Sequence, residues 1–258
     1  TSITNIIYSA DKPATNIFVD GSRFFSPKTD SNLQNITFEL SIPVPDSKTG
    51  NKLVEWALSI EDKSGKVVRT FNQSNSGEVP PSKIVFDGTD DSGKKLADGK
   101  YKAAVTAKYL NGYEPAKIYS PELVLDTEKP AATLSASDKA FGAGSRTTVT
   151  FKIATQDSAD APVKTWKGEI RSADGTKLIK SYDFGEFPPD SITWNGIGDN
   201  GQLAENGKYK LVVSGVDAAG NSGLAETEAV TFDTTEAELL LTMSDSAFSP
   251  NGNKVKDT

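Results

Sequence analysis

The sequence predicts an all-β protein built as tandem β-sandwiches, and three observations carry that prediction. Apolar residues recur with a period of two rather than 3.6, as in Ile36, Phe38, Leu40 and Ile42. Asx-Gly pairs punctuate the alternation at Asp98-Gly99, Asn111-Gly112, Asp174-Gly175 and Asn206-Gly207, supplying the left-handed positions that hairpins require. A long block also repeats, since Phe86 to Tyr101 is matched by Trp194 to Tyr209 at an offset of 108. Both copies hold an aromatic, two loop glycines, a Leu-Ala pair and a Gly-Lys-Tyr triplet, in that order.

Other landmarks keep the same spacing: Phe38 with Phe151, Trp56 with Trp166, and Asp126-Thr127 with Asp233-Thr234. Within the first copy, Val54, Trp56, Leu58 and Ile60 alternate with polar residues, as do Tyr101, Ala103, Val105, Ala107 and Tyr109. In the second, the alternating sets are Thr147, Val149, Phe151 and Ile153, then Tyr209, Leu211 and Val213. Such strands put one face on a core and the other in water. About seven short strands in roughly 107 residues is the pattern of an immunoglobulin-like or fibronectin-like sandwich. The expected domains are a repeat at 13–127 and a second at 128–235. Residues 1–12 read as the tail of a preceding repeat or linker, because Asp11-Lys12-Pro13 echoes Asp126 to Pro130. Residues 236–258 read as the start of a truncated third repeat, because Phe248-Ser249-Pro250 echoes Phe25-Ser26-Pro27 and, more faintly, Phe141-Gly142-Ala143.

Composition narrows the chemistry. The 258 residues carry 28 basic and 35 acidic side chains, a formal charge of −7. A general nucleic-acid binder would need a basic stripe instead. With no Cys there are no disulfides or thiolate sites, and with no His there is no Ser-His-Asp triad or HExxH zinc site. The longest apolar run, around Leu239 to Leu241, falls far short of the roughly 20 residues a membrane helix needs. The chain starts at Thr1 rather than Met and reads as a piece of a longer protein.

The block from aromatic-Asx-Gly through Leu-Ala to Gly-Lys-Tyr resembles the immunoglobulin-like domain of the flagellar hook-capping (FlgD-type) family. Phe248-Ser249-Pro250-Asn251-Gly252 resembles the motif that often opens such domains, with Asn253 where an acidic residue is usual. Asp217-Ala218-Ala219-Gly220-Asn221 is similar to the Asp-x-Ala-Gly-Asn turn of other bacterial Ig-like repeats, and the first copy departs from it with Lys108-Tyr109-Leu110-Asn111-Gly112. The resemblance implies a tandem array in a bacterial exported or cell-surface protein. It specifies fold rather than function, because such modules serve many roles.

The shared loop has a structural reading. Phe86 or Trp194 ends a strand in the core, and Gly88, Gly93, Gly196 and Gly201 let the chain turn away and return. Asp90, Asp91, Asp199 and Asn200 are expected to accept hydrogen bonds from N–H groups of the loop itself. Leu96 and Leu203 are expected to plug the core end before Gly99 or Gly207 leads into the Tyr101 or Tyr209 strand. An EF-hand frame on this loop fails, with Ser92 at its glycine position in one copy and Ile197 at a ligand position in the other. A looser calcium site at the domain junction, using Asp126, Glu128, Asp217 or Asp233, is the remaining metal candidate.

No catalytic constellation stands out. Asp90-Asp91 and Glu226/Glu228 could in principle form glycosidase pairs, but an exposed acidic face explains them as well. Trp56, Trp166 and Trp194 read as core residues, which leaves Tyr113, Tyr119 and Phe187 as the aromatics to consider for ligand stacking. The loops Val79-Pro80-Pro81 and Phe187-Pro188-Pro189 are expected to cross between sheets, where proline protects an edge. The functional expectation is a non-enzymatic segment of an exported bacterial protein, serving as spacer, scaffold or adhesive stalk without cofactor. Its first partners would be neighbouring repeats of the same chain. The rival readings are a module binding a glycan or protein, a hook-assembly scaffold, and an accessory segment of a large secreted enzyme.

Overall fold

The computed structural model describes residues 9–28, 31–45, 51–74, 79–156, 160–236, 238, 240 and 242. The Phe248 to Gly252 motif, with most of the segment read as a third repeat, lies outside the described residues, as do residues 1–8 of the leading tail.

The first sandwich contains β1 (Asn16–Asp20), β2 (Phe24–Phe25), β3 (Ile36–Ser41), β4 (Leu53–Asp62), β5 (Val67–Ser74), β6 (Lys83–Phe86), β7 (Gly99–Tyr109), β8 (Ile118–Tyr119) and β9 (Leu123–Leu125). The second repeats that order with β10 (Ala131–Ala136), β11 (Ala140–Gly142), β12 (Val149–Gln156), β13 (Val163–Ser172), β14 (Leu178–Gly185), β15 (Ser191–Trp194), β16 (Gly207–Asp217), β17 (Ser222–Glu226) and β18 (Val230–Asp233). A sheet of order β1-β3-β6 faces one of order β2-β9-β7-β4-β5, with β8 also on β7. The second copy has β10-β12-β15 and β11-β18-β16-β13-β14, with β17 on β16. The chain is therefore an all-β pair of sandwiches, without a helix among the described residues.

Among the described residues each copy shows nine strands where alternation alone suggested about seven. The leading segment divides, so that β1 joins one sheet and β2 the other. Short β8 and β17 also attach to the long β7 and β16, and two- to five-residue strands are too brief to show a period of two. The proline-rich loops do run between sheets, joining β5 to β6 and β14 to β15.

The inward faces form one core per sandwich. Phe25, Phe38, Leu58, Ile60 and Phe86 are buried in the first, and Phe151, Trp166, Ile170, Trp194 and Phe232 in the second. Trp194 sits among Phe141, Tyr209 and Phe232, with ring centroids at 5.4, 5.2 and 5.9 Å. Trp166 lies opposite Gly215 on β16, and the room for its ring exists because that neighbour has no side chain. Two alternation assignments need correction. A bulge between Leu53 and Glu55 rotates the start of β4, so Leu53 rather than Val54 enters the core. Thr147 is exposed and precedes β12, which starts at Val149.

Truncating Trp166, among the largest fully buried side chains, should cost about 3–5 kcal/mol. Urea unfolding of W166A followed by far-UV circular dichroism checks this, and the expected result is an early transition for the second sandwich alone.

Candidate functional site

In both copies the shared loop leaves the core at Phe86 or Trp194 and closes on itself. Leu96 N–H donates to the Gly88 carbonyl at 2.9 Å, and Ala204 N–H to that of Gly196 at 2.8 Å. Gly196 has φ +85, and a β-carbon there would lie 2.4 Å from the Phe232 ring, so only glycine fits. Gly93 and Gly201 turn the loop tip in open space. Gly99 and Gly207 begin β7 and β16. Two residues on, the hydroxyls of Tyr101 and Tyr209 donate back to the carbonyls of Ala97 and Glu205, at 2.7 and 2.6 Å. This is the tyrosine corner of immunoglobulin-like sandwiches.

The plug assignment holds for Leu96, which packs on the first core, but not for Leu203. Leu203 is 56% exposed and forms an isolated bridge with Ile197. The residue equivalent to Leu96 is Ala204, which does touch the second core. The Leu-Ala pair is displaced by one position between copies, and a one-residue shift in an extended segment exchanges inside for outside.

The loop aspartates divide their work. Asp90 accepts from Ser92 and Lys94 N–H, and Asn200 from Gln202 N–H, all within the loop at 2.9 Å. Asp91 and Asp199 reach instead to the neighbouring edge strand, which corrects the expectation of loop-internal bonding. Asp91 Oδ1 accepts from Thr70 N–H on β5 at 2.9 Å. Asp199 Oδ2 accepts from the N–H of Ser181 on β14 at 2.9 Å and from its hydroxyl at 2.6 Å, while Asp199 N–H donates to the Ile179 carbonyl at 2.9 Å. The Ser181 hydrogen bonds hold the Asp199 carboxyl below the ordinary range. The loop thus occupies backbone groups that an open sheet edge would offer to a foreign strand.

The segment joining the sandwiches is held from both sides. Asp98 Oδ2 accepts from the N–H and hydroxyl of Thr127, at 2.9 and 2.8 Å. Lys28 donates to the Thr127 carbonyl. From the second sandwich, Asn221 Nδ2 donates to the Asp126 carbonyl at 2.9 Å, and Ser31 Oγ donates across to the Ala219 carbonyl at 2.9 Å. Phe24 packs against Ala161, Ala218 and Ala219. Gly220 has φ +81, and a β-carbon there would lie 2.6 Å from Asn32 Oδ1 and 2.8 Å from Ser31 Oγ. The Asp-Ala-Ala-Gly-Asn turn is therefore the contact surface between repeats.

Both halves of this arrangement recur elsewhere in the chain. Asn206 Oδ1 accepts from Thr234 N–H and hydroxyl, each at 3.0 Å, as Asp98 does from Thr127. Asn111 Nδ2 donates to the Asp11 carbonyl at 3.0 Å, as Asn221 does to Asp126. Sequence reasoning missed Asp98, Asn206, Asn111 and Asn221 as linker clamps. For Asp98 and Asn206 the available signal was the joint recurrence of Asx before Gly-Lys-Tyr with an Asp-Thr pair whose Thr lies 29 or 28 residues later.

Of the four junction calcium candidates, only Asp126 and Asp217 come together, both buried. Glu128 is exposed, and Asp233 lies beyond Phe232, beside Gly207 at the far end of β16 from Asp217. Asp217 Oδ1 accepts from Ala219 and Asn221 N–H, and Oδ2 from Asn221 Nδ2, all at 2.9 Å. No group of three or more acidic side chains is placed as a metal cage among the described residues. Burial pushes the Asp217 carboxyl up and the nearby Asp126 adds to it, against the opposing pull of its amide donors.

Trp56, Trp166 and Trp194 are all buried. Tyr113 stacks on Tyr109 at 6.3 Å, Tyr119 carries the Lys117 ammonium 5.2 Å from its ring centroid, and Phe187, 82% exposed, sits on the other sandwich. These three do not share a platform. Of the carboxylate pairs, Asp90 and Asp91 are engaged as above, and Glu226 pairs with Lys210 at 2.7 Å.

Fold and junction together define a tandem immunoglobulin-like module whose two sandwiches dock end to end. Residues 37–110, within the first sandwich, match the family described as the FlgD Ig-like domain. No curated protein matches the chain in sequence. Among solved structures, a tetra-tandem repeat from the extending region of a large adhesion protein is 18% identical with a TM-score of 0.32, covering 86% of this chain and 50% of its own. The chain thus spans half the length of that structure. The fibronectin(III)-like modules of Clostridium thermocellum CbhA are 15% identical with a TM-score of 0.39, covering 88% of this chain and 100% of theirs. A 1.5-MDa bacterial ice-binding adhesin is 17% identical with a TM-score of 0.44, covering 86% and 65%.

Two outcomes follow from this geometry. In D199A, the Ser181 amide should exchange with solvent roughly tenfold faster, with Val213 in the central strand unchanged, as read by hydrogen-exchange NMR. Because the folded chain raises the Asp217 pKa, that group favours folding below the ordinary carboxylate range, and the advantage is lost as pH rises through the raised value. Thermal unfolding of the native chain and D217N should therefore show the native chain comparing best below the ordinary carboxylate range and losing ground as pH rises above it.

Proposed function

We propose that this chain is a non-enzymatic spacer segment of an exported bacterial protein, in which each sandwich sets the direction of the next. The observation that carries the reading is the linker held on both sides. Thr127 is tied to Asp98 of the first sandwich and the Asp126 carbonyl to Asn221 of the second, with one peptide bond between them. A linker with neither neighbour attached would let the domains swing independently. Here a small apolar contact and several directional hydrogen bonds select one orientation. Repetition of both clamps, at Asn206 and Asn111, fits an array continuing by the same rule. The formal charge of −7 opposes self-association of such a rod.

The reading is supported by what the residues of the block repeated in the two copies do. Loop aspartates guard sheet edges, tyrosines fix corners, and Asx residues hold linkers, so the shared block is committed to architecture. The FlgD Ig-like match supports an exported bacterial setting, and an adhesive stalk or assembly scaffold would each use such a rod.

Small-angle scattering of the native chain and N221A tests the proposal. The native chain should fit one extended shape. N221A loses the bond across the junction and a donor to the buried Asp217, which should weaken the second sandwich by about 1–3 kcal/mol and broaden the distribution of maximum dimension under folding conditions. An unchanged profile in a folded N221A, or a native chain already sampling many orientations, would count against a set direction.

A further inference from the structure

An open recess of about 320 Å³ lies on the first sandwich, beside the β4–β5 turn, the start of β7 and β8. That volume is at the small end of ligand sites, about 300–1,000 Å³. Tyr119, half exposed, forms one wall, and Lys63, Lys100, Lys102 and Glu122 line the rest with Glu61 and Asp62. These charges are not equally free. Lys100 pairs with Glu122 at 3.0 Å. The buried Glu61 is taken by Lys117, which also lies against the Tyr119 ring. Asp62 Oδ1 accepts from Ser64 N–H, from its hydroxyl and from Lys66 N–H, at 2.8, 2.6 and 3.1 Å, closing the β4–β5 turn. Lys63 and Lys102, both exposed, are left without an ion pair or side-chain hydrogen bond among the described residues.

The second sandwich shows how Lys102 comes to be free. Lys210 lies opposite Arg171 as Lys102 lies opposite Glu61, and Glu226 lies opposite Val212 as Tyr119 lies opposite Ala104. Glu226 therefore stands where the first copy has Tyr119, and it pairs with Lys210 at 2.7 Å. Ala173 likewise stands two residues before the turn glycine, where the first copy has Lys63. Tyrosine in place of glutamate thus exchanges an internal ion pair for an unpaired ammonium beside an exposed aromatic ring.

From this arrangement we infer that the recess binds an acidic sugar, a pyranose residue carrying a carboxylate. The inference goes beyond the spacer reading and does not depend on it. A pyranose offers an apolar face of polarised C–H groups, which suits the negative face of the Tyr119 ring. Lys63 and Lys102 meet the carboxylate in charge-assisted hydrogen bonds. Glu122 and Asp62, as ionised acceptors, suit the hydroxyl donors of a sugar and repel the higher charge of a phosphate. Lys117, held by the buried Glu61, fixes the ring from its own side.

Amide NMR spectra of the native chain, titrated with methyl glucuronide, test the assignment. Saturable shifts are expected around Lys63, Lys102 and Tyr119, with none around Ala173, Lys210 and Glu226 of the second sandwich. Methyl glucoside, which lacks only the carboxylate charge, and inorganic phosphate should each bind about tenfold more weakly or worse. K102A should weaken the glucuronide by about tenfold, and added salt should weaken it in the native chain. Y119E installs the glutamate of the second copy beside Lys102 and should abolish binding. Urea midpoints within error of the native chain establish that both variants fold. An absence of saturable shifts would overturn the inference. So would glucoside or phosphate binding as tightly as the glucuronide, or a Y119E chain that binds as the native one does. None of these results touches the scattering test of the spacer, and a flexible native chain there would leave the sugar titration unaltered.

Discussion

The peptide bond between Asp126 and Thr127 is the point on which the arrangement turns. Its carbonyl accepts from Asn221 of one sandwich and its N–H donates to Asp98 of the other. Each partner is fixed by its own domain: Asp98 by the turn that opens β7, and Asn221 by a tight turn whose amides surround Asp217. Two sandwiches that would otherwise be beads on a string therefore meet at a defined contact. The apolar part, Phe24 against three alanines, is small, so direction comes from hydrogen-bond geometry rather than from buried area.

The same economy governs the sandwiches. A slim two-sheet domain exposes edges on both sheets, and its neighbours in an array hold identical edges nearby at high local concentration. The loop between β6 and β7, and its counterpart between β15 and β16, answer that hazard by laying a carboxylate on the backbone of β5 or β14. The loop glycine at 196 is required by the Phe232 ring beneath it, and the tyrosine corner then returns the chain to the sheet. One short block thus serves core, edge and linker at once, since Asp98 and Asn206 belong to it too. That shared duty explains why the block is the part of the chain most alike between copies.

Much of this was legible in the amino-acid sequence. Period-two alternation, Asx-Gly turns and the 108-residue repeat determined an all-β tandem architecture, because side-chain direction in a strand and left-handed turns are local properties. Composition alone removed thiol and imidazole chemistry. Where local pattern met a bulge or a one-residue shift, as at Val54 and Leu203, it misassigned the buried face, since register is set by the partner strand. The division of the leading segment between sheets, the carboxylate of Asp199 on Ser181 and the grasp of Asn221 on the Asp126 carbonyl were decided only by the tertiary structure. Each joins residues from 18 to 100 positions apart, and only the packing of one sandwich on itself and against its neighbour brings such groups within hydrogen-bond distance.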